Sequence, residues 1–168
     1  MGYHRSGFIS AVKRERARVL IDCGSSVAAL RLLAGSCYGT GYDVDYFELF
    51  GRALLECGQV ENAGRFFFLS GVRRSDYEAA IAKFLSKHND PNNFRQLQSR
   101  FPKRAQVLWN LKQFPPIVAS ELRSLGWPED IQAANVARKQ PHLQSQRRNW
   151  CLSSICIKSA VKPVILSQ

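Results

Sequence analysis

The sequence predicts an all-α fold in which two or three antiparallel helical hairpins are stacked and further helices follow toward the C-terminus. Three observations predict it: one stretch is repeated after 34 residues, apolar residues recur at helical spacing, and glycines stand where helices must end. When residues 18–33 are laid over residues 52–67, six of the sixteen pairs are identical. These pairs are Arg18/Arg52, Leu20/Leu54, Cys23/Cys57, Gly24/Gly58, Ala29/Ala63 and Arg31/Arg65.

The second copy begins with a predicted helix over residues 45–57, where Phe47, Phe50, Leu54 and Leu55 fall on one face. Asp45 with Glu48 three residues later predicts a capping box at its start. Gly58 is predicted to end the helix in the left-handed backbone conformation, which glycine adopts without a Cβ penalty.

A second helix is predicted from about Val60 to Leu69, with Ala63, Phe66 and Phe67 facing the first. Small Gly51 and Ala63 would let the two helices approach closely. The run from Phe66 to Leu69 is too apolar to lie on one side, so this helix is expected to be buried on more than one face. Arg65 would then lie on its narrow polar edge and tie helix ends together.

Several further helices are predicted after the hairpin. Ser75 and Glu78 suggest a capping box for a helix over about 76–87, and Asp90–Pro91 suggests the start of a short helix that ends near Phe101. Because Phe101 follows Phe67 by 34 residues, a third, weaker hairpin is expected. Apolar spacing and capping residues then predict helices at about 103–113, 115–125 and 128–139.

Residues 47–67 resemble the tetratricopeptide repeat, whose period is also 34 residues. The matching positions are Phe47, Phe50, Gly51, Leu54, Gly58, Ala63 and Phe67. The resemblance implies that Arg18 and Arg52 face a concave groove, where two guanidinium groups could hold a carboxylate. The alternative is that each arginine pairs with the acid four residues later, Asp22 or Glu56, along its own helix.

The upstream copy departs from the tetratricopeptide pattern. Ala17 stands in place of the glycine, Arg16 in place of the preceding apolar residue, and Lys13 in place of the aromatic. Terminal repeats are commonly atypical, so this copy is expected to be an end cap. Substitutions at Gly24 and Ala29 should therefore be milder than those at Gly58 and Ala63.

The word "AGRFFFLSG" at residues 63–71 resembles a small bacterial helical family of unknown function, whose members have a similar Ala63-Gly64-Arg65-Phe66 stretch. This resemblance spans about residues 10–130. It implies a helical fold and no particular activity. The tail after Gln140 has no counterpart in it.

Composition predicts a globular, cytoplasmic protein. Hydrophobic residues make up 45% of the chain, which supplies enough apolar material for a core. No run is long and apolar enough for a membrane span, and the first residues lack a signal-peptide pattern. The five cysteines have no CxxC spacing and lie apart from the histidines in sequence, so neither a metal site nor a disulfide framework is predicted.

The net charge of +11 is concentrated at the C-terminal end. Residues 131–168 contain six Lys/Arg and no Asp/Glu, whereas residues 41–90 contain six against eight. A nucleic-acid-binding protein that uses its basic termini is therefore the alternative hypothesis. Its basic residues would be Lys13, Arg14, Arg16 and Arg18 on the first helix, with Arg147 and Arg148 in the tail.

The favoured hypothesis is a non-enzymatic module that binds a protein or peptide partner. The sequence shows no nucleophile–base set, metal spacing or phosphate loop, so no catalytic residue, metal or other cofactor is expected. The helical repeat-like domain is predicted over residues 8–139, followed by a basic tail over 140–168 that is either disordered or loosely docked. The candidate partner-binding residues are Arg14, Arg18, Asp22, Glu48, Arg52 and Glu56; those of the structural motif are Gly24, Ala29, Gly51, Gly58, Ala63, Arg65 and Phe67.

Overall fold

Helices account for the regular structure throughout the ranges that the computed structural model describes, residues 9–36, 41–88 and 94–139, apart from one isolated bridge between Asn110 and Asp130. The all-α prediction is confirmed. The elements are α1 (Ala11–Asp22), α2 (Ser26–Ala34), α3 (Val44–Glu56), α4 (Val60–Ser70), α5 (Ser75–His88), α6 (Phe94–Arg100), α7 (Lys103–Gln106), a 3₁₀ turn (Leu111–Gln113), α8 (Pro116–Ser124) and α9 (Ile131–Lys139).

The chain divides into two units, Met1–Ile131 and Gln132–Gln168. The described part of the second unit is the remainder of α9, a single helix. The basic tail over residues 140–168 and residues 37–40 lie outside the described residues. The predicted boundary between the helical domain and the tail therefore stays a prediction.

Consecutive helices pack on one another from α1 to α5, and α4 lies at the centre of this series because it packs against both α3 and α5. Phe66, Phe67, Phe68 and Leu69 are all buried, which confirms that α4 is covered on more than one face. Full burial of one such side chain contributes about 1.5–3 kcal/mol. This aromatic helix therefore anchors the core of the first unit.

The two sequence copies end their first helices in the same way. Gly24 and Gly58 have φ values of 73° and 75°. In each copy the glycine N–H donates to the carbonyl three residues back and the next N–H donates to the carbonyl five residues back. This is the Schellman motif, and its repetition makes residues 17–24 and 51–58 equivalent helix ends.

Gly51 and Gly64 allow close contacts between helices. Gly51 was predicted to do so, whereas Gly64 was not. A Cβ placed on Gly51 would lie 2.7 Å from ring atoms of Phe67, so Phe67 is the residue that crowds Gly51. Ala63, the predicted counterpart, is buried. The tightest approach is elsewhere: a Cβ on Gly64 would overlap the carbonyl oxygen of Ala80 on α5 and lie 2.5 Å from its carbon.

The predicted capping box of α3 is wrong. Asp43 is the N-cap residue, and its carboxylate accepts hydrogen bonds from the backbone N–H of Tyr46 and of Ile9, each at 3.1 Å. Asp45 lies in the first turn and Glu48 bonds elsewhere. The same carboxylate therefore caps α3 and ties its start to Ile9, which precedes α1.

The predicted helix over 103–113 is also wrong, because the chain leaves the helical path after α7. The N–H of Leu111 donates to the carbonyl of Glu129 and the N–H of Ile131 to that of Trp109, at 3.0 and 2.9 Å. These long-range bonds flank the bridge between Asn110, whose backbone is extended, and Asp130. Asn110 then caps the short 3₁₀ turn.

The predicted third hairpin would pair α5 with α6. These two helices are not among the closely packed helix pairs of the described ranges. Its expected start at Asp90–Pro91 lies outside the described residues. Phe101 nonetheless joins the core: its ring centroid lies 6.1 Å from that of Phe68 and 5.5 Å from that of Trp127. The third hairpin stays a prediction.

Candidate functional site

Helices α1 and α3 lie side by side and run in the same direction, joined by two ion pairs. Arg14 contacts Asp45 at 2.5 Å near the start of both helices, and Asp22 contacts Arg52 at 3.0 Å near their ends. Three of the six candidate partner-binding residues, Arg14, Asp22 and Arg52, thus take part in ion pairs between the two sequence copies. Pairs as exposed as these contribute about 0–1 kcal/mol each, so they fix register more than stability.

The two glutamates of the candidate set accept hydrogen bonds from hydroxyl groups on neighbouring helices. Glu56 accepts from Ser26 on α2, and Glu48 accepts from Tyr77 on α5 at 3.1 Å. Tyr77 is buried, and burial followed by the nearby charge of Glu48 raises the pKa of its phenol to about 12. Both glutamates therefore hold helices together in this fold.

The pairing of each arginine with the acid four residues later does not occur. Arg52 binds Asp22 instead of Glu56, and Arg18 pairs with Glu15 at 3.6 Å instead of with Asp22. The reason is tertiary, because α1 places Asp22 beside Arg52 and α2 places Ser26 beside Glu56. Arg18 and Asp22 lie one turn apart on α1. Because Arg52 binds Asp22, the Arg52 side chain lies at the edge of the surface that carries Arg18.

The outer face of α1 carries two exposed valines, including the most exposed large hydrophobic residue of the described ranges. We define it by Val12, Glu15, Arg16 and Val19, which follow the spacing of one helical face. Val12 is 80% exposed and Val19 is 52% exposed. The opposite side of α1 carries buried Ala17 and Ile21, so this helix packs on the core and also presents valines to solvent.

The four basic residues of α1 that could follow a nucleic-acid backbone, Lys13, Arg14, Arg16 and Arg18, do not all project into solvent. Lys13 donates to the hydroxyl of Ser36 at 2.7 Å. Arg14 is held by Asp45 and by the carbonyl of Ile9. Of the four basic side chains, Arg16 and Arg18 are exposed on the helix surface. The tail arginines, Arg147 and Arg148, lie outside the described residues.

The residues of the structural motif lie at helix ends and inside the core. Ala29 and Ala63 are fully buried at equivalent places on α2 and α4. Phe67 is buried and its ring stacks on that of Tyr77 with centroids 3.8 Å apart. Arg65 donates from Nη1 to the carbonyl of Arg100 at 3.0 Å and so connects α4 to the end of α6.

Sequence reasoning missed two arginines that organise the first unit. Arg104 is 3% exposed, donates to the carbonyls of Ser36 and Gly41, and has its guanidinium 5.0 Å from the centroid of the Tyr46 ring. Arg73 binds both carboxylate oxygens of Glu121, at 2.8 and 2.5 Å. Neither partner set is close in sequence, so spacing carries no signal of these bonds.

A tyrosine near the second hairpin is also tied to the backbone. Tyr42 donates its hydroxyl to the carbonyl of Leu69. Burial raises the pKa of this phenol well above its usual range, and the charge of Arg73 partly opposes the rise. The neutral, hydrogen-bonded phenol is therefore the form that this fold favours, which fits a structural role.

No group of three or more His, Cys, Asp or Glu side chains in the described part of the chain is arranged to hold a metal ion. Among the described helices, none has the length and apolar content needed to cross a membrane. In comparisons with known proteins, no family model, no curated protein and no solved structure matches the chain.

Proposed function

We propose that this protein is a non-enzymatic interaction module that binds a segment of a partner protein along the outer face of α1. The observation that carries the proposal is the exposure of Val12 and Val19 on either side of Arg16. Single exposed apolar residues are normal on protein surfaces. Two valines seven residues apart on a helix whose other side is buried instead form an apolar stripe of the kind that binds a second helix.

The charge of α1 indicates which partner fits this stripe. The helix contains Lys13, Arg14, Arg16 and Arg18 against Glu15 and Asp22, a difference of two positive charges. An acidic amphipathic helix could place apolar side chains on the valines and carboxylates beside Arg16 and Arg18. The Arg18–Glu15 pair is exposed and 3.6 Å long, so a partner carboxylate could replace it at a cost of less than about 1 kcal/mol.

The proposal includes a finer architecture, in which α1–α2 and α3–α4 are successive tetratricopeptide-like hairpins. The repeated Schellman ends at Gly24 and Gly58 support it. The parallel α1 and α3, joined through Arg14–Asp45 and Asp22–Arg52, support it as well, because a stack of hairpins brings their first helices side by side. Kinship with the small bacterial helical family remains part of this proposal.

The test is capture of partners from a lysate by the full chain and by the Val12→Asp/Val19→Asp variant, each with and without nuclease. The variant should lose the partners that the wild type retains after nuclease treatment, since a carboxylate on the stripe repels an acidic helix. Val107→Asp is the matched control, because Val107 is 52% exposed, the same as Val19, and lies outside α1.

Two results would contradict the proposal. Partners that disappear from the wild type after nuclease treatment would favour nucleic-acid binding through the basic termini, which also predicts a steep loss of affinity with salt. Equal capture by the wild type and the α1 variant would place the binding surface elsewhere. A recovered partner is then titrated against Arg16→Glu/Arg18→Glu, for which the proposal predicts a loss of affinity of roughly tenfold or more.

A further inference from the structure

A small polar cavity lies where α4 and α5 meet the end of α6, away from the outer face of α1. Its volume is about 60 Å³, which exceeds the space that one water molecule requires. It is lined by Glu61, Asn62, Arg65, Phe84 and Arg100. We call it the Arg65–Arg100 pocket.

Arg65 uses only part of its hydrogen-bonding capacity in the fold. Its Nη1 donates to the carbonyl of Arg100 at 3.0 Å, and its guanidinium lies 4.9 Å from the centroid of the Phe66 ring. Its Nε is buried and has no hydrogen-bond partner in the described structure. The bond to the carbonyl at the end of α6 holds the Arg65 side chain at this cavity. Because a guanidinium has five N–H donors, this single bond leaves most of them available to a ligand.

Arg100 brings a second positive charge to the same cavity. Its guanidinium has no ion pair or hydrogen bond within the described residues. Burial, followed by the charge of Arg100, lowers the pKa of Arg65. Arg100 thus lines the cavity together with Arg65, and its positive charge acts on the Arg65 guanidinium.

The acidic residue at the pocket does not neutralise this charge. Glu61 is paired with Lys87 of α5, so the four charged groups at and beside the pocket, Arg65, Arg100, Lys87 and Glu61, sum to two positive charges. Phe84, which is buried, lines another side of the pocket with an apolar ring. Guanidinium pairs in such surroundings bind oxyanions strongly, because each donates charge-assisted hydrogen bonds in a planar fork.

We propose that the Arg65–Arg100 pocket binds a small oxyanion of the phosphate type, either free phosphate or the phosphate group of a small monoester. A doubly charged oxyanion matches the excess of two positive charges. Asn62 adds an amide group at the rim, where its Nδ2 donates to Gln59 at 3.1 Å. The site does not overlap the proposed partner-binding face, so either can exist without the other.

The experiment measures binding of inorganic phosphate to the full chain by calorimetry and by broadening of the phosphorus NMR signal, with chloride used to hold ionic strength constant. Wild type should bind saturably, and Arg100→Gln should weaken binding roughly tenfold or more with little change in melting temperature, since the Arg100 side chain makes no bond in the fold. Arg65→Lys, which keeps the charge but loses the planar fork, should weaken binding too. Arg16→Gln, another exposed arginine, should bind like wild type.

The outcomes separate a built site from general attraction to a basic protein. Absence of saturable binding to wild type, or equal affinity in wild type and Arg100→Gln, overturns the proposal. An equal loss in Arg16→Gln and Arg100→Gln also overturns it, because the effect would then follow net charge alone. Methyl phosphate identifies the source: tighter binding than inorganic phosphate indicates a monoester, and weaker binding indicates the free ion, both in support of the site.

Discussion

Gly64 of α4 lies so close to Ala80 of α5 that a Cβ on the glycine would overlap the carbonyl oxygen of the alanine. The obstacle is backbone, which cannot move aside as a side chain can. Gly64→Ala should therefore force α4 and α5 apart, and overpacking of this kind costs about 1–3 kcal/mol or more. Urea unfolding of the variant measures the loss.

Gly35→Ala is the control for that prediction. The nearest atoms to a Cβ at Gly35 are 3.9 Å away, and its φ of −62° is ordinary for any residue. This substitution should be neutral or raise the free energy of unfolding by about 0.4–1 kcal/mol through the unfolded state. A Gly64→Ala protein as stable as Gly35→Ala would show that the α4–α5 contact is looser than described.

Gly51→Ala should also destabilise the protein, but in a way that a second substitution relieves. The added Cβ would meet the ring of Phe67 at 2.7 Å, and that ring is itself held by its stack on Tyr77. We expect a loss of about 1–3 kcal/mol in the free energy of unfolding. In the Phe67→Leu background, Gly51→Ala should cost less, and a double-mutant cycle measures the coupling. Strictly additive losses would contradict the contact.

Gly24→Ala and Gly58→Ala should lower stability by similar amounts. Both glycines have left-handed backbones, and a Cβ at either position meets nothing within 4 Å. The cost is therefore conformational, about 1–2 kcal/mol at each position. This equality replaces the expectation of a milder effect at Gly24, because the first copy ends its helix as the second does.

Asparagine distinguishes backbone strain from packing at these two positions. Asn adopts the left-handed conformation more readily than Ala or Val, so Gly58→Asn should be milder than Gly58→Ala, and Gly58→Val should be the most severe. Thermal melts of the three variants rank them. A ranking by side-chain size alone, with Asn worse than Ala, would indicate a steric cause and contradict the open surroundings of Gly58.

Tyr77 should make stability depend on pH in the alkaline range. Its pKa is raised from 10.0 to about 12 in the folded protein, so folding favours the neutral phenol. This contribution is complete below pH 10.0 and is lost as the pH rises toward about 12. Tyr77→Phe should have a shallower fall in the free energy of unfolding across that range.

Tyr42→Phe is the comparison for the pH experiment, because burial raises the pKa of Tyr42 as well and the wild-type slope contains both groups. Removing Tyr42 leaves the Tyr77 contribution in place. Phenolate absorbance, followed as the pH rises, shows which of the two tyrosines ionises in each folded variant. An unchanged slope in Tyr77→Phe would mean that neither burial nor the neighbouring Glu48 favours the neutral form of Tyr77.

Local patterns in the sequence were sufficient to predict helices α3 and α4 and the C-terminal ends of α1 and α3. Apolar spacing identified α3 and α4, and the two glycines identified the helix ends. The apolar run at 66–69 also predicted burial on two sides of α4. These features depend on residues within a few positions of one another, where helical geometry fixes which side chains and backbone groups meet.

The tertiary structure decided the features that depend on which helices meet. The carboxylate of Asp43, which caps α3, also accepts a hydrogen bond from Ile9, and Arg52 bound Asp22 because α1 lies beside α3. Asn110 left the helical path to form a bridge with Asp130, which the backbone bonds Leu111–Glu129 and Ile131–Trp109 flank. Each outcome joins groups at least eighteen positions apart, and no local spacing encodes such a meeting.

The candidate sites also combine residues that the sequence indicated with residues that only the tertiary structure brings together. The sequence marked Arg18 and Arg65 through their repetition after 34 residues. Only the folded chain shows that Val12 and Val19 remain exposed while Ala17 is buried, and that Arg100 arrives beside Arg65 from another helix. The physical reason is that exposure and the proximity of like charges are properties of packed helices, because packing determines which side chains lose contact with water and which charges face each other.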